Sequence, residues 1–266
     1  MAWNTRPYVI INGQNSMEIN GLMISNLPPI SKPMMRVSAE EIDGRDGDIV
    51  TPLGFSAYDK EIEIGLHNDF DIDEIMDFFN QSGNITFSNE PDKFYKFAQY
   101  NAIDFEKLIR YKTATVGFHV QPFKFSLNES EKVFDFSSSA SSGELSIRNN
   151  GNYMSRPSIK LTGSGTVNLS INGAQLFVID MSENPVITLD GTEMNAYAPD
   201  TSLLNRKVTG NYDNLVFKSG KNIVSYTGTL TEIAVNNYSR WLLYNQIKGG
   251  VNNGEQLSEF NNSSDN

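Results

Sequence analysis

The sequence predicts a mainly β protein of two domains, and three observations carry that prediction. Asx-Gly steps recur along the chain, at Asn12-Gly13, Asn20-Gly21, Asp43-Gly44, Asp46-Gly47, Asn150-Gly151, Asn172-Gly173 and Asp190-Gly191. Such pairs favour tight turns, because Gly takes positive φ without steric cost and Asn or Asp tolerates it. Between most of them lie short runs rich in β-branched and aromatic residues, at 8–11, 62–66, 158–161, 167–171 and 176–179, the spacing expected of sandwiches or barrels. Bulky groups then vanish from 136–143, FSSSASSG. A stretch with so little to bury reads as a connection, which places a boundary near 133–142. The predicted units are 1–135, 136–250 and a polar tail, 251–266, expected to be disordered.

The first unit is organised around 39–66, AEEIDGRDGDIVTPLGFSAYDKEIEIGL. Its two Asp-Gly steps predict the tip of a hairpin. In the segment Tyr58–Leu66, Tyr58, Ile62, Ile64 and Leu66 share one face, with Lys60 as the exception, while Asp59, Glu61 and Glu63 take the other. That alternation predicts a half-buried strand. One helix is expected at about 71–82: Ile72, Ile75, Met76 and Phe79 fall at i, i+3, i+4 and i+7. Asp71 serves as N-cap, Glu74 completes a capping-box-like pair, and Gly83 suits the stop. Asp69, Asp71 and Asp73 have calcium-loop spacing, but Glu74 stands where such a loop needs Gly and Asn80 where it needs Glu, so capping is the preferred reading. Segments 84–97, 102–105 and 113–125 follow as further β structure, 84–97 with a Pro-containing turn. The second unit reads as successive strands of four to seven residues with no helix, Gly163-Ser164-Gly165 being taken as a hairpin turn.

Composition narrows the function. Asp and Glu number 32 against 21 Lys and Arg, a formal net charge of −11 that disfavours a phosphate-neutralising nucleic-acid surface. The absence of cysteine excludes disulfides, thiolate metal sites and cysteine nucleophiles. No secretory signal and no apolar run long enough to span a bilayer is read. The two histidines, His67 and His119, are far apart in sequence and read as structural or exposed. No Gly-x-Ser-x-Gly elbow occurs. A glycosidase-type carboxylate pair stays open, Asp43, Asp46 and Asp48 being the densest candidates, although a turn accounts for them. The aromatic residues of the second unit leave a carbohydrate site open without naming it. Hence no catalytic residue, cofactor or metal is expected.

A family resemblance runs through the ordered series of motifs. Glu41-Ile42-Asp43-Gly44-Arg45-Asp46-Gly47, the alternating strand after it, the capped helix, 87–95 and 116–125 resemble the N-terminal domain of the distal tail proteins of long-tailed phages. In the second unit Asn149-Asn150-Gly151-Asn152-Tyr153 through Leu161, then Gly163-Ser164-Gly165, Ile171-Asn172-Gly173, Ile187-Thr188-Leu189-Asp190 and 220–228 are similar to the C-terminal half of that family. The resemblance spans roughly 6–245. It implies an N-terminal β-sandwich or split-barrel-like domain with one helix, and a galectin-like C-terminal β-sandwich. It also implies a structural virion protein: a homo-hexameric ring at the tail tip, made in the host cytoplasm, joining the tail tube protein to the tail-associated tip protein and the host-adhesion device with its receptor-binding proteins. No nucleic acid or membrane insertion is implied. The hairpin tip, with Asp43, Arg45, Asp46 and Asp48, is the candidate ring interface. A carbohydrate-binding adhesion module and a glycan-cleaving tail enzyme stand as alternatives.

Overall fold

The computed structural model describes residues 6–44, 46–67, 69–99, 103 and 105–242. Arg45 and the tail 251–266 therefore lie outside the described residues. The elements run β1 (Val9–Ile11), β2 (Gln14–Asn15), β3 (Leu22–Asn26), β4 (Met35–Glu41), β5 (Asp48–Phe55), β6 (Tyr58–Leu66), α1 (Ile72–Phe79), β7 (Ser82–Phe87), β8 (Lys93–Gln99), α2 (Phe105–Tyr111) and β9 (Thr113–Ser126). They continue as β10 (Lys132–Asn149), β11 (Ser158–Ile171), β12 (Ala174–Asp180), β13 (Val186–Asp190), β14 (Asn195–Tyr197), β15 (Val208–Gly210), β16 (Gly220–Asn236) and β17 (Arg240–Trp241). The protein is mainly β, as its turn spacing predicts.

Two sheets carry most of the chain. One has the order β2-β1-β7-β8-β9-β6-β3, with β17 added on β9. The other has the order β10-β16-β11-β12-β15, with β13 and β14 branching from β11. Each has its own apolar cluster. The first, drawn from 9–120, includes Ile11, Ile62, Ile64, Phe79, Phe87, Val116 and Phe118. The second, drawn from 147–235, includes Ile159, Leu161, Leu169, Phe177, Phe217 and Ile233. Burying each of these side chains stabilises the fold by about 1.5–3 kcal/mol before conformational entropy is charged.

Local chemistry sets the turns. Asn12 and Gly13 both take positive φ, 48° and 91°, between Ile11 and Gln14, which pair directly; Asn172 and Gly173 do the same, at 52° and 84°, between Ile171 and Ala174. These are two-residue hairpin turns whose twist matches the flanking strands, and only residues tolerant of positive φ close them. Gly151 serves a different need, since a Cβ there would stand 2.3 Å from the backbone oxygen of Arg240. It lets β17 pass close to the loop after β10.

Several expectations are corrected. The predicted helix over 71–82 is Ile72–Phe79, with Asp71 accepting from the backbone N–H groups of Asp73 and Glu74. Gly83 does not stop it: β7 has already begun at Ser82, and the helix ends at Asn80. Its buried face is Ile75, Phe78 and Phe79, whereas Met76 is 40% exposed. A second helix, α2, occupies Phe105–Tyr111, so one helix was too few. It spans fewer than two turns, too short for a periodic pattern to declare itself, and is held by Leu108, which is fully buried.

The run 136–143 is not a connection but the middle of β10, paired with β16 from Lys132↔Val235 to Asn149↔Gly220. A backbone ladder needs no bulky side chains, and the register shifts between Asp135 and Ser142 mark where this strand bends. Finally, Gly163-Ser164-Gly165 is no hairpin turn. It lies inside β11, at the irregularity where the strand passes from pairing with β13 (158–162) to pairing with β12 (166–171).

Candidate functional site

The hairpin around which the first half was read stands apart from both large sheets. β4 and β5 pair only with each other, with Val37↔Pro52, Ala39↔Val50 and Glu41↔Asp48 in register. Paired residues share a face, so Val37, Ala39, Val50 and Pro52 form one apolar side with no core beneath it. Met34 is 72% exposed, Val50 56% and Leu53 55%. Asp43, Asp46 and Asp48 are exposed at the tip, and none of them makes an ion pair among the described residues. A two-stranded ribbon is marginal by itself in water, and exposed apolar strands mark a contact surface.

Behind the root of this hairpin, the first core contains a charge cluster that the sequence did not reveal. Lys60, the misfit in the alternation of β6, keeps its place on the inner face and is 3% exposed. Its Nζ donates to the carbonyl of Pro29 at 2.8 Å and lies 5.2 Å from the ring centre of Tyr95. Glu90, in the turn between β7 and β8, accepts from Lys124 through one carboxylate oxygen and from Tyr95 Oη at 2.7 Å through the other. Loss of hydration outweighs the attraction of Glu90 and lowers the Lys60 ammonium to about 8. Burial likewise pushes Tyr58 up to about 12 and drives Tyr95 upward. Lys124 thus takes the Glu90 carboxylate as its ion pair, while Lys60 is bound to the Pro29 carbonyl and feels that carboxylate only at longer range.

The two sheets are joined at a third place. β17 pairs with β9, Arg240↔Phe125 and Trp241↔Lys124, while Tyr153 bridges to Arg240. The guanidinium of Arg240 lies 4.4 Å from the ring centre of Phe123 and donates through Nε to Met154 O at 2.9 Å. Phe55, at the hairpin root, meets Tyr153 edge to face at 5.7 Å and Phe123 at 6.0 Å. Glu129 pins the segment from the other side, accepting from the backbone N–H of Ser239 at 2.7 Å and from its hydroxyl at 2.5 Å. These contacts join the hairpin root to both sheets.

The residues weighed for chemistry do not converge. His119 Nδ1 lies 2.6 Å from Asp59 Oδ1 across the β6–β9 pair, with both side chains about half exposed. His67 is half-buried at the end of β6. Asp71 is committed to the helix cap, and no group of three His, Asp or Glu side chains placed to hold a metal occurs among the described residues. No described helix is long and apolar enough to cross a membrane.

In its fold, this mainly β chain with two cores, a free hairpin and a returning C-terminal strand is similar to a solved phage hub protein. The particular likeness is to the crystal structure of the Dit protein (gp 19.1) of phage SPP1, described as a paradigm of the hub adsorption apparatus in phages infecting Gram-positive bacteria. The TM-score is 0.63 at 13% identity, covering 87% of this chain and 99% of that one. The activated, calcium-bound baseplate of phage P2 contains a chain with a TM-score of 0.46 and 8% identity, over 87% of this chain and 97% of that one. No protein-family model and no curated protein sequence matches the chain.

Proposed function

We propose that this chain is a structural subunit of a phage tail tip, six copies of which close into a ring that joins the tail tube to the host-adhesion device. The first unit, expected over 1–135 and ending in the structure after β9 at Ser126, builds the ring, and the second, expected over 136–250 and opening with β10 at Lys132, is read as a galectin-like sandwich that faces outward. The observation that carries this reading is the β4–β5 ribbon: an apolar face formed by Val37, Ala39, Val50 and Pro52, exposed on a hairpin too small to be stable unaided. A face of this kind pressed on a different surface of the next copy makes a heterologous contact, which closes into a ring when the rotation allows. The fold shared with the SPP1 hub protein supports the same role. The tail tube protein, the tail-associated tip protein and the receptor-binding proteins are its proposed partners.

The acidic tip, Asp43, Asp46 and Asp48 with Arg45 among them, sets which copies meet. Arg45 can bridge a neighbour's carboxylate in bidentate fashion. An exposed pair contributes up to about 1 kcal/mol, and a ring repeats it at every interface. Native mass spectrometry at high protein concentration tests the proposal. Val37→Asp with Val50→Asp should dissociate the ring and leave the circular dichroism of the subunit unchanged, while Arg45→Glu should weaken it less. A strict monomer, alone and with the tip protein added, would overturn the ring. A ring unaffected by Arg45→Glu would remove only that residue's role.

A further inference from the structure

Asn-Gly steps carry a chemistry besides turn formation. The backbone nitrogen of Gly, unhindered by a side chain, can reach the side-chain carbonyl carbon of the Asn before it. Four such steps lie within the described residues, at Asn12-Gly13, Asn20-Gly21, Asn150-Gly151 and Asn172-Gly173, and a fifth, Asn253-Gly254, lies outside them.

Three of the four are locked. Asn12 Oδ1 accepts from the Asn84 N–H at 2.9 Å, and its Nδ2 donates to Gln81 Oε1 and Ser82 O at 3.0 and 3.1 Å. Asn172 Oδ1 accepts from the Ile223 N–H at 2.9 Å while its Nδ2 donates to Asn222 Oδ1 at 3.0 Å. In the third step it is the attacking nitrogen that is held, since the Gly151 N–H donates to Asn149 Oδ1 at 2.9 Å. Asn20 is open. Its side chain is exposed and makes no hydrogen bond among the described residues, and the peptide joining it to Gly21 makes none there through either its C=O or its N–H. The turn around it is closed by one hydrogen bond, from the Leu22 N–H to Ile19 O, which at 3.3 Å is long. Packing also keeps the reactive neighbour in place: a Cβ at Gly21 would stand 2.5 Å from that of Phe70, so a bulkier, slower residue does not fit.

We propose that Asn20 is a site of spontaneous modification, converting to isoaspartate while the other three described steps stay intact. The Gly21 nitrogen bonds to Cγ of Asn20, the Cγ–Nδ2 bond breaks, and the proton lost by that nitrogen leaves with Nδ2 as ammonia. Water then opens the cyclic imide. Attack at the side-chain carbonyl gives aspartate, and attack at the backbone carbonyl gives isoaspartate, whose chain runs through Cβ and Cγ. Either product adds a negative charge, and isoaspartate also lengthens the backbone inside the turn that leads into β3. The longer turn draws the Gly21 carbonyl away from the His67 N–H, which donates to it at 3.0 Å, and shifts Gly21 from beneath Phe70. The proposal is independent of the ring and stands if the hub reading fails.

The test is to age the full chain in mildly alkaline buffer, folded and in urea, and to map peptides by mass spectrometry with isoaspartyl methyltransferase labelling. In the folded chain Asn20 should convert about tenfold or more faster than Asn12 and Asn172, whose side chains must first leave their hydrogen bonds, and about fivefold faster than Asn150, where one bond must open. In urea the four rates should converge. Asn20→Gln alters an exposed side chain without a partner, so it should fold and stay unmodified at that position. Hydrogen exchange at the His67 amide should accelerate several-fold in the aged native chain and not in aged Asn20→Gln. Conversion of Asn20 no faster than the other three in the folded chain, or the same ranking kept in urea, would overturn the proposal; unchanged exchange at His67 in the converted chain would overturn the rearrangement of the turn.

Discussion

Lys60 makes the stability of this protein rise, not fall, as the solution turns mildly alkaline. Its ammonium is 3% exposed and lowered from 10.5 to about 8, chiefly by loss of hydration. Between those two values the folded chain holds fewer protons at this position than the unfolded chain, so stability rises with pH across the window. Below pH 8 the cost is complete. A difference of about 2.5 pH units at 1.36 kcal/mol each gives about 3 kcal/mol in all, of which about 2 kcal/mol is recovered between pH 7 and 9.5. Above pH 10 the sign reverses, because Tyr58 and Tyr95 keep their protons in the folded state and lose them in the unfolded one. Other groups also respond to pH, so the measurement is a comparison. Urea unfolding of the native chain and of Lys60→Met should be followed at pH 7, 8, 9 and 9.5. Lys60→Met leaves the Pro29 carbonyl without its donor, a constant loss of about 1 kcal/mol, but lacks the titrating group. The native protein should gain about 2 kcal/mol relative to the variant over that range. A difference that stays flat from pH 7 to 9.5 would refute the account of Lys60 as a charge held against its own hydration.

Two further outcomes follow from single contacts. Asp71→Ala removes the acceptor for the Asp73 and Glu74 N–H groups and should cost about 1 kcal/mol in urea unfolding, with Asp71→Asn largely retaining the cap. Glu129→Ala frees the Ser239 N–H and hydroxyl, so hydrogen exchange at Ser239 and along β17 should accelerate while β11 and β16 stay protected; unchanged exchange at Ser239 would show that the Arg240 contacts suffice.

How much of this was legible in the sequence depends on the range of each interaction. The Asn-Gly hairpins after β1 and β11, the cap at Asp71, the alternation of β6 and the mainly β class are local: a residue's φ preference or a two-residue period states them without reference to the rest of the chain. The tip of the β4–β5 hairpin was legible for the same reason, since two Asp-Gly steps three residues apart leave the backbone little choice.

What only the tertiary structure decided is where distant segments meet. The run 136–143 looks unburied from composition, yet β16, some ninety residues on, pairs with it at Ala140, Ser142 and Gly143. Gly163 and Gly165 have the chemistry of a turn, but β12 and β13 compete for one long strand and hold it open there. Lys60 looked like an exception to a pattern until Glu90, Lys124, Tyr95 and the Pro29 carbonyl gathered around it from three other places in the chain. A cleft lined by Phe94, Phe125, Asp190 and Arg240 is assembled from β8, β9, β13 and β17, segments whose spacing in sequence carries no sign of one another. Turn and strand preferences are set within a few residues, whereas a shared charge or a common wall exists only after the sheets have closed on each other.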